Sequence, residues 1–153
     1  MSAGQGQHAI ESSGAIGSHH GMFVSGCAVW YDPSMWWTVA GIAGALGVAL
    51  GAFGAHGLRN VVSDPSLLDT WETAARYHLV HALALGLVAA HPAKPRLAGA
   101  LFVAGLVLFS GSLYVLVLTE QRWLGAITPL GGLALIAAWL VIAWSSRAPT
   151  QEN

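Results

Sequence analysis

Carboxylates are missing from the interior of every long apolar run in this chain. Charged residues of both signs are also scarce, at 8% against 55% hydrophobic. A soluble domain carries about 25% charged residues, so the deficit points to lipid as the solvent. The six basic residues are scattered. No positive stripe is available to follow a phosphate backbone, which argues against nucleic acid as a partner. The single cysteine, Cys27, gives neither a disulfide framework nor a thiolate cluster. A secretory signal needs a positive n-region and an apolar core, and residues 1–34 have no Lys or Arg at all.

What is present is a series of long apolar runs, and their lengths predict four membrane helices over residues 36–57, 73–90, 97–118 and 123–144. The first run, at 1.5 Å per residue, reaches about 33 Å, enough for a hydrocarbon core of about 30 Å. Trp36 and Trp37 open it, as suits a membrane interface. Ala43, Gly47, Gly51 and Ala55 recur every fourth residue and predict a small-residue face for close helix packing. Residues 58–73 form the most polar link. Asp64-Pro65 should turn the chain, and Ser66 should cap a short helix that lays Leu67, Leu68 and Trp71 along the membrane surface. Glu72 and Arg76 have the i, i+4 spacing of a helical ion pair. Near the fourth run's start, Thr128-Pro129 predicts a kink or a restart, with Thr128 as the cap.

The Gly-, Ser- and His-rich residues 1–34 show no helical or strand period and read as a disordered extension. Met35 directly precedes the first run and reads as the true start, so the extension is expected to be foreign to the natural protein. Residues 35–147 form the membrane domain, and residues 148–153 a short polar tail. Four spans put both termini on one side, with Lys94, Arg96 and Arg147. Arg59 and Arg122 lie on the other side, joined by Arg76 if that residue is interfacial. The positive-inside rule then favours cytoplasmic termini.

Ionisable groups at depth are the default functional candidates in a membrane chain. His81 is the clearest, with His56 and His78 nearer the boundary. Three imidazoles suit zinc or copper, but the spacing matches no ligand motif, so neither metal nor cofactor is expected. Ser110 and Ser112 lack a nucleophile elbow and an acidic residue to orient a base, so an enzyme is not expected. A proton-coupled transporter usually keeps a buried carboxylate, and none is present.

Three blocks carry a family resemblance. One is Gly51-Ala52-Phe53-Gly54-Ala55-His56-Gly57-Leu58. The second runs from Trp71 through Tyr77 to His81-Ala82-Leu83-Ala84-Leu85. The third is Leu108-Phe109-Ser110-Gly111-Ser112-Leu113-Tyr114, followed by Leu124 to Gly132. Together they resemble the transmembrane protein 256 family, small membrane proteins whose shared domain has no known function. The resemblance implies a four-helix integral membrane protein, in bacteria of the inner membrane, with no known ligand. Its recurring polar positions map to His56, Tyr77, His81, Ser110, Ser112, Tyr114 and Thr128. His78 stands where a glutamine is usual, and Glu120 where a glycine is common, so a looser turn is expected there.

The expectation is therefore an all-α membrane protein, four transmembrane helices in an up-and-down bundle. Its expected partners are the lipid bilayer, a second copy of itself and a further membrane protein. Its expected role is a binding or scaffold component of a membrane complex. The alternative is a small oligomeric transporter or channel with a polar path near His81, Ser110, Ser112 and Thr128.

Overall fold

A computed structural model describes residues 33–146, with side chains from Met35 onward. The expected extension and polar tail lie outside the described residues, except that Pro33 and Ser34 already belong to the first helix. Among the described residues every regular element is helical. Helix α1 spans Pro33–His56 and is followed by a 3-10 turn at Leu58–Asn60. Helix α2 spans Pro65–Ala90. Helix α3, Arg96–Leu106, passes through a π turn at Val107–Gly111 into α4, Ser112–Thr119. A 3-10 turn at Arg122–Ala126 leads into α5, Thr128–Ser145. These make four rods, running up and down. α1 packs chiefly on α2 and α5 on α3, while α2 also touches α3 and α4. α1 and α2 form one hairpin, and the α3–α4 rod and α5 another.

Among the described residues, three stretches are long and apolar enough to cross a membrane: Met35–Asn60, Arg96–Thr119 and Arg122–Ser145. α2 falls outside that group, because Arg76, Tyr77, His78 and His81 interrupt its apolar sequence. The expected surface helix after Ser66 does not form as a separate element. Nothing between Ser66 and Ala90 breaks a helix, so α2 runs unbroken for 26 residues, about 39 Å. Its cap is Asp64 rather than Ser66. The Asp64 carboxylate accepts hydrogen bonds from the Ser66 hydroxyl at 2.8 Å and the Ser66 backbone N–H at 2.9 Å. Those bonds, the hydroxyl first, hold its pKa below the ordinary aspartate value. Pro65 follows in the first turn, where its missing N–H costs nothing.

Two buried clusters hold the bundle. One joins Trp36, Leu85, Val88, Phe102, Leu106 and Leu135 at the end where α1 begins. The other joins Leu58, Trp71, Ala74, Tyr114 and Val117 at the opposite end. Trp36 is thus a core residue and not an interface anchor; its ring lies over Gly99 of α3. Trp37 beside it is exposed.

The small-residue face of α1 differs from expectation in its lower half. Ala43 packs against the core, and a Cβ on Gly47 would meet Leu79 of α2 at 2.8 Å. A Cβ on Gly51, however, would meet nothing within 4 Å, and Ala55 is exposed. The next contacts come instead from Leu50, whose carbonyl accepts from Trp71 Nε1–H at 2.9 Å, and Gly54, seated against the Trp71 ring. A helix turns by about 100° per residue, so a strict four-residue repeat drifts by about 40° per step. Alternating steps of four and three hold a fixed face. The contact line is accordingly Trp36, Ala40, Ala43, Gly47, Leu50 and Gly54.

Glu120 adopts φ 56°, in the left-handed region that glycine favours. The turn after α4 is tight despite the glutamate, contrary to expectation.

Candidate functional site

His81 is 6% exposed and hydrogen-bonded through both ring nitrogens. Its Nδ1 lies 2.7 Å from the Tyr77 carbonyl, one turn back on α2. A carbonyl only accepts, so Nδ1 carries the proton. Trp139 Nε1–H on α5 donates to His81 Nε2 at 3.4 Å. The ring stacks on Tyr77, with centroids 5.9 Å apart, and Phe102 approaches it at 5.8 Å. Trp139 closes the cluster edge-on to Phe102 at 5.3 Å. The 3.6-residue period brings Tyr77 and His81 together. Trp139, which sequence reasoning missed, comes from another helix. It resembles an interface tryptophan in sequence, and only its place about three turns into α5 hints otherwise.

Ser112 and Thr128 form a second group. Ser112 Oγ–H donates to the Phe109 carbonyl at 3.0 Å, and its oxygen lies 2.9 Å from Thr128 Oγ1. With the serine proton used on Phe109, the threonine donates to the serine. The π turn at Val107–Gly111 widens the backbone just before Ser112, and π turns recur at functional sites. Thr128 therefore ties α5 to α4. It does not cap α5, whose N-cap residue, Ile127, has no side-chain cap.

Tyr114 and Ser110 complete the set in different ways. Tyr114 is 7% exposed and packs on Trp71 at 4.6 Å, with the His78 ring at 6.1 Å. Its hydroxyl has no hydrogen-bond partner; neither have His78 Nδ1 and Ser110 Oγ, and all three atoms are buried. His56 stands apart from these groups. It is exposed at the end of α1, where its carbonyl accepts from the Asn60 amide at 3.2 Å. Gly47 meets His78 and Leu79, so the level of His81 lies above Gly47 on α1. From there His56 is more than nine residues down the helix, upwards of about 14 Å. The antiparallel pairing of α1 and α2 is what separates these histidines. Among the described residues no group of three His, Cys, Asp or Glu side chains stands close enough to hold a metal ion.

A groove of about 360 Å³ runs between α1 and the α3–α4 rod, with α2 as its floor. Ile42, Leu46 and Leu50 line one wall, and Val103, Val107 and Gly111 the other. His78 and Tyr114 lie at one end, and no charged residue lines it. The sequence signal for this groove is faint: small and branched residues on two helices that are distant in the chain.

A family model described as "Protein of unknown function (DUF423)" matches residues 50–132, which include all seven candidate polar residues. A UPF0382 membrane protein of Schizosaccharomyces pombe is 44% identical over 110 residues, covering 67% of this chain and 93% of the relative. The UPF0382 membrane protein YwdK of Bacillus subtilis is 50% identical over 103 residues, covering 63% and 83%. One from Staphylococcus haemolyticus is 45% identical over 105 residues, covering 66% and 85%. These names agree with a small membrane family of unknown function and do not carry the transmembrane protein 256 label. No solved structure matches.

Proposed function

The chain belongs to the DUF423 family of membrane proteins, and on that premise we propose that it is a small, non-enzymatic binding component of a membrane complex. One observation carries the reading: three of the polar groups at depth, His81, Ser112 and Thr128, are spent on holding the bundle together. His81 is bonded on both nitrogens, and Ser112 and Thr128 bond each other. A transporter with a path through His81, Ser110, Ser112 and Thr128 would need these groups free to exchange partners with water or an ion. A serine hydrolase would need a base on Ser110, whose hydroxyl is unpartnered.

The same reading makes the protein a multi-pass component of the bacterial inner membrane with both termini cytoplasmic. Lys94 and Arg96 on the α2–α3 link support this orientation. The link shares its end of the bundle with the end of α5, since His91 Nε2 and Ser146 Oγ lie 3.1 Å apart. It also makes the protein a homo-oligomer. Gly41, Gly44 and Gly51 of α1 have open space where a Cβ would stand, so another backbone can approach there. The test is extraction of the full-length chain from its native membrane in mild detergent, followed by native mass spectrometry. A homo-oligomer or a complex with a second membrane protein is expected. A bare monomer would contradict the reading.

A further inference from the structure

A second cleft, of about 370 Å³, opens where α1 ends and α2 begins. That volume is within the range of small-molecule sites. Gly51, Gly54 and Ala55 form its α1 wall, and their small size leaves the space. Asp69 and Glu72 of α2 face it from the other side, three residues apart and so on one helix face. Arg59 joins them from the 3-10 turn. All three charged residues are exposed, so a ligand in the cleft can reach them. Glu72 holds Arg76 at 2.7 Å through Oε1 alone. The side chains of Arg59 and Asp69 pair with nothing among the described residues. Opposite charges therefore share one cleft without neutralising each other.

We infer that this cleft holds the zwitterionic head of a phosphatidylethanolamine-type lipid, its phosphate on Arg59 and its ammonium on Asp69 and Glu72. A guanidinium fork matches the oxygens of a phosphate. A primary ammonium donates three hydrogen bonds, and the two carboxylates accept them. A quaternary ammonium donates none and is recognised by aromatic faces instead. The one aromatic ring at the cleft, Trp71, is buried between Phe53 and Tyr114, with its N–H on the Leu50 carbonyl. A phosphoglycerol head has no cation to set against Asp69 and Glu72. The depth of the cleft favours a lipid over a free zwitterion. Arg59 lies near the end of the apolar stretch Met35–Asn60. Gly51 is five residues inside the end of α1, about 8 Å along its axis. The head-group layer is roughly 5–8 Å thick on each side of a bilayer. The cleft thus spans that layer, and a bilayer lipid already carries its head there. The site does not depend on the reading of the protein as a component of a complex.

The full-length protein, delipidated in mild detergent, is titrated with phosphatidylethanolamine, phosphatidylcholine and phosphatidylglycerol of identical acyl chains. Bound lipid is counted by native mass spectrometry. Phosphatidylethanolamine should bind roughly two- to tenfold more tightly than either of the others, as two exposed ion pairs allow. The double variant Asp69→Asn with Glu72→Gln should lose the preference over phosphatidylcholine. Arg59→Gln should weaken phosphatidylethanolamine and phosphatidylcholine alike. All three side chains are exposed, and the one pair that is broken, Glu72–Arg76, adds little to stability, so both variants fold normally. Equal affinity for the three lipids overturns the proposal, as does a preference that survives both variants. Displacement of the lipid by an equal concentration of glycerophosphoethanolamine, the head without its tails, overturns the lipid as the ligand. A chain-to-chain cross-link from position 59 to position 69 overturns it in favour of a second copy. Failure here, with an intact oligomer or protein complex in mild detergent, removes the lipid and leaves the broader binding reading standing.

Discussion

A Cβ at Gly131 would collide with the backbone nitrogen of Phe109 and the carbonyl carbon of Leu108. The π turn pushes that stretch of backbone onto α5, and backbone cannot swing aside as a side chain can. Gly51, by contrast, is surrounded by open space. Gly131→Ala should therefore destabilise the protein by about 1–3 kcal/mol, as overpacking does. Gly51→Ala should leave the single-chain bundle unchanged or slightly more stable, because alanine is the better helix former. Denaturation in mixed micelles checks both; equal effects would contradict the packing described. At this scale His81 is legible in the sequence, because an ionisable residue inside an apolar run is conspicuous. Its partner Trp139 is not, since hydrogen bonds between distant helices leave no local period. His56 is misleading for the opposite reason: its neighbours in sequence suggest a site, and the antiparallel geometry carries it to an exposed end.

The elements themselves are largely readable, and their boundaries follow from caps that sequence reasoning assigned one or two residues off. Ser66 and Thr128 are good capping residues by type, yet Asp64 takes the first role and Thr128 spends its hydroxyl on Ser112. The choice in α2 has a measurable consequence. Asp64 has a lowered pKa in the folded chain, so its contribution is present in full above the ordinary aspartate pKa. It is lost as pH falls through the lowered folded value. Protection of the Ser66 and Leu67 amides, relative to their intrinsic exchange rates, should fall in that acid range, and Asp64→Ala should show the lower protection already at neutral pH. Protection that is the same in both proteins and unchanged through the acid range would mean that the cap does not hold this end of α2. The π turn left no mark in the sequence, because Val107–Gly111 reads as ordinary membrane helix. It arises where α3 must pass Gly131 and still place Ser112 against Thr128.

For the whole molecule, the up-and-down bundle follows from four apolar runs separated by short polar links, and close similarity to named membrane proteins agrees with it. The groove does not follow from that pattern. It depends on α1 packing on α2 while the α3–α4 rod lies on the other side of the α2 floor, an arrangement that only three dimensions reveal. The bundle's polar groups are the point on which a binding protein and a transporter part. In the binding account His81 is a structural residue, fixed by Tyr77 and Trp139, and no proton or ion passes through it. The most direct measurement is flux of protons and monovalent cations into proteoliposomes containing the wild-type chain or His81→Ala. The account predicts no flux above protein-free vesicles for either protein, together with reduced stability of the variant. Flux carried by the wild type and abolished in His81→Ala would contradict it.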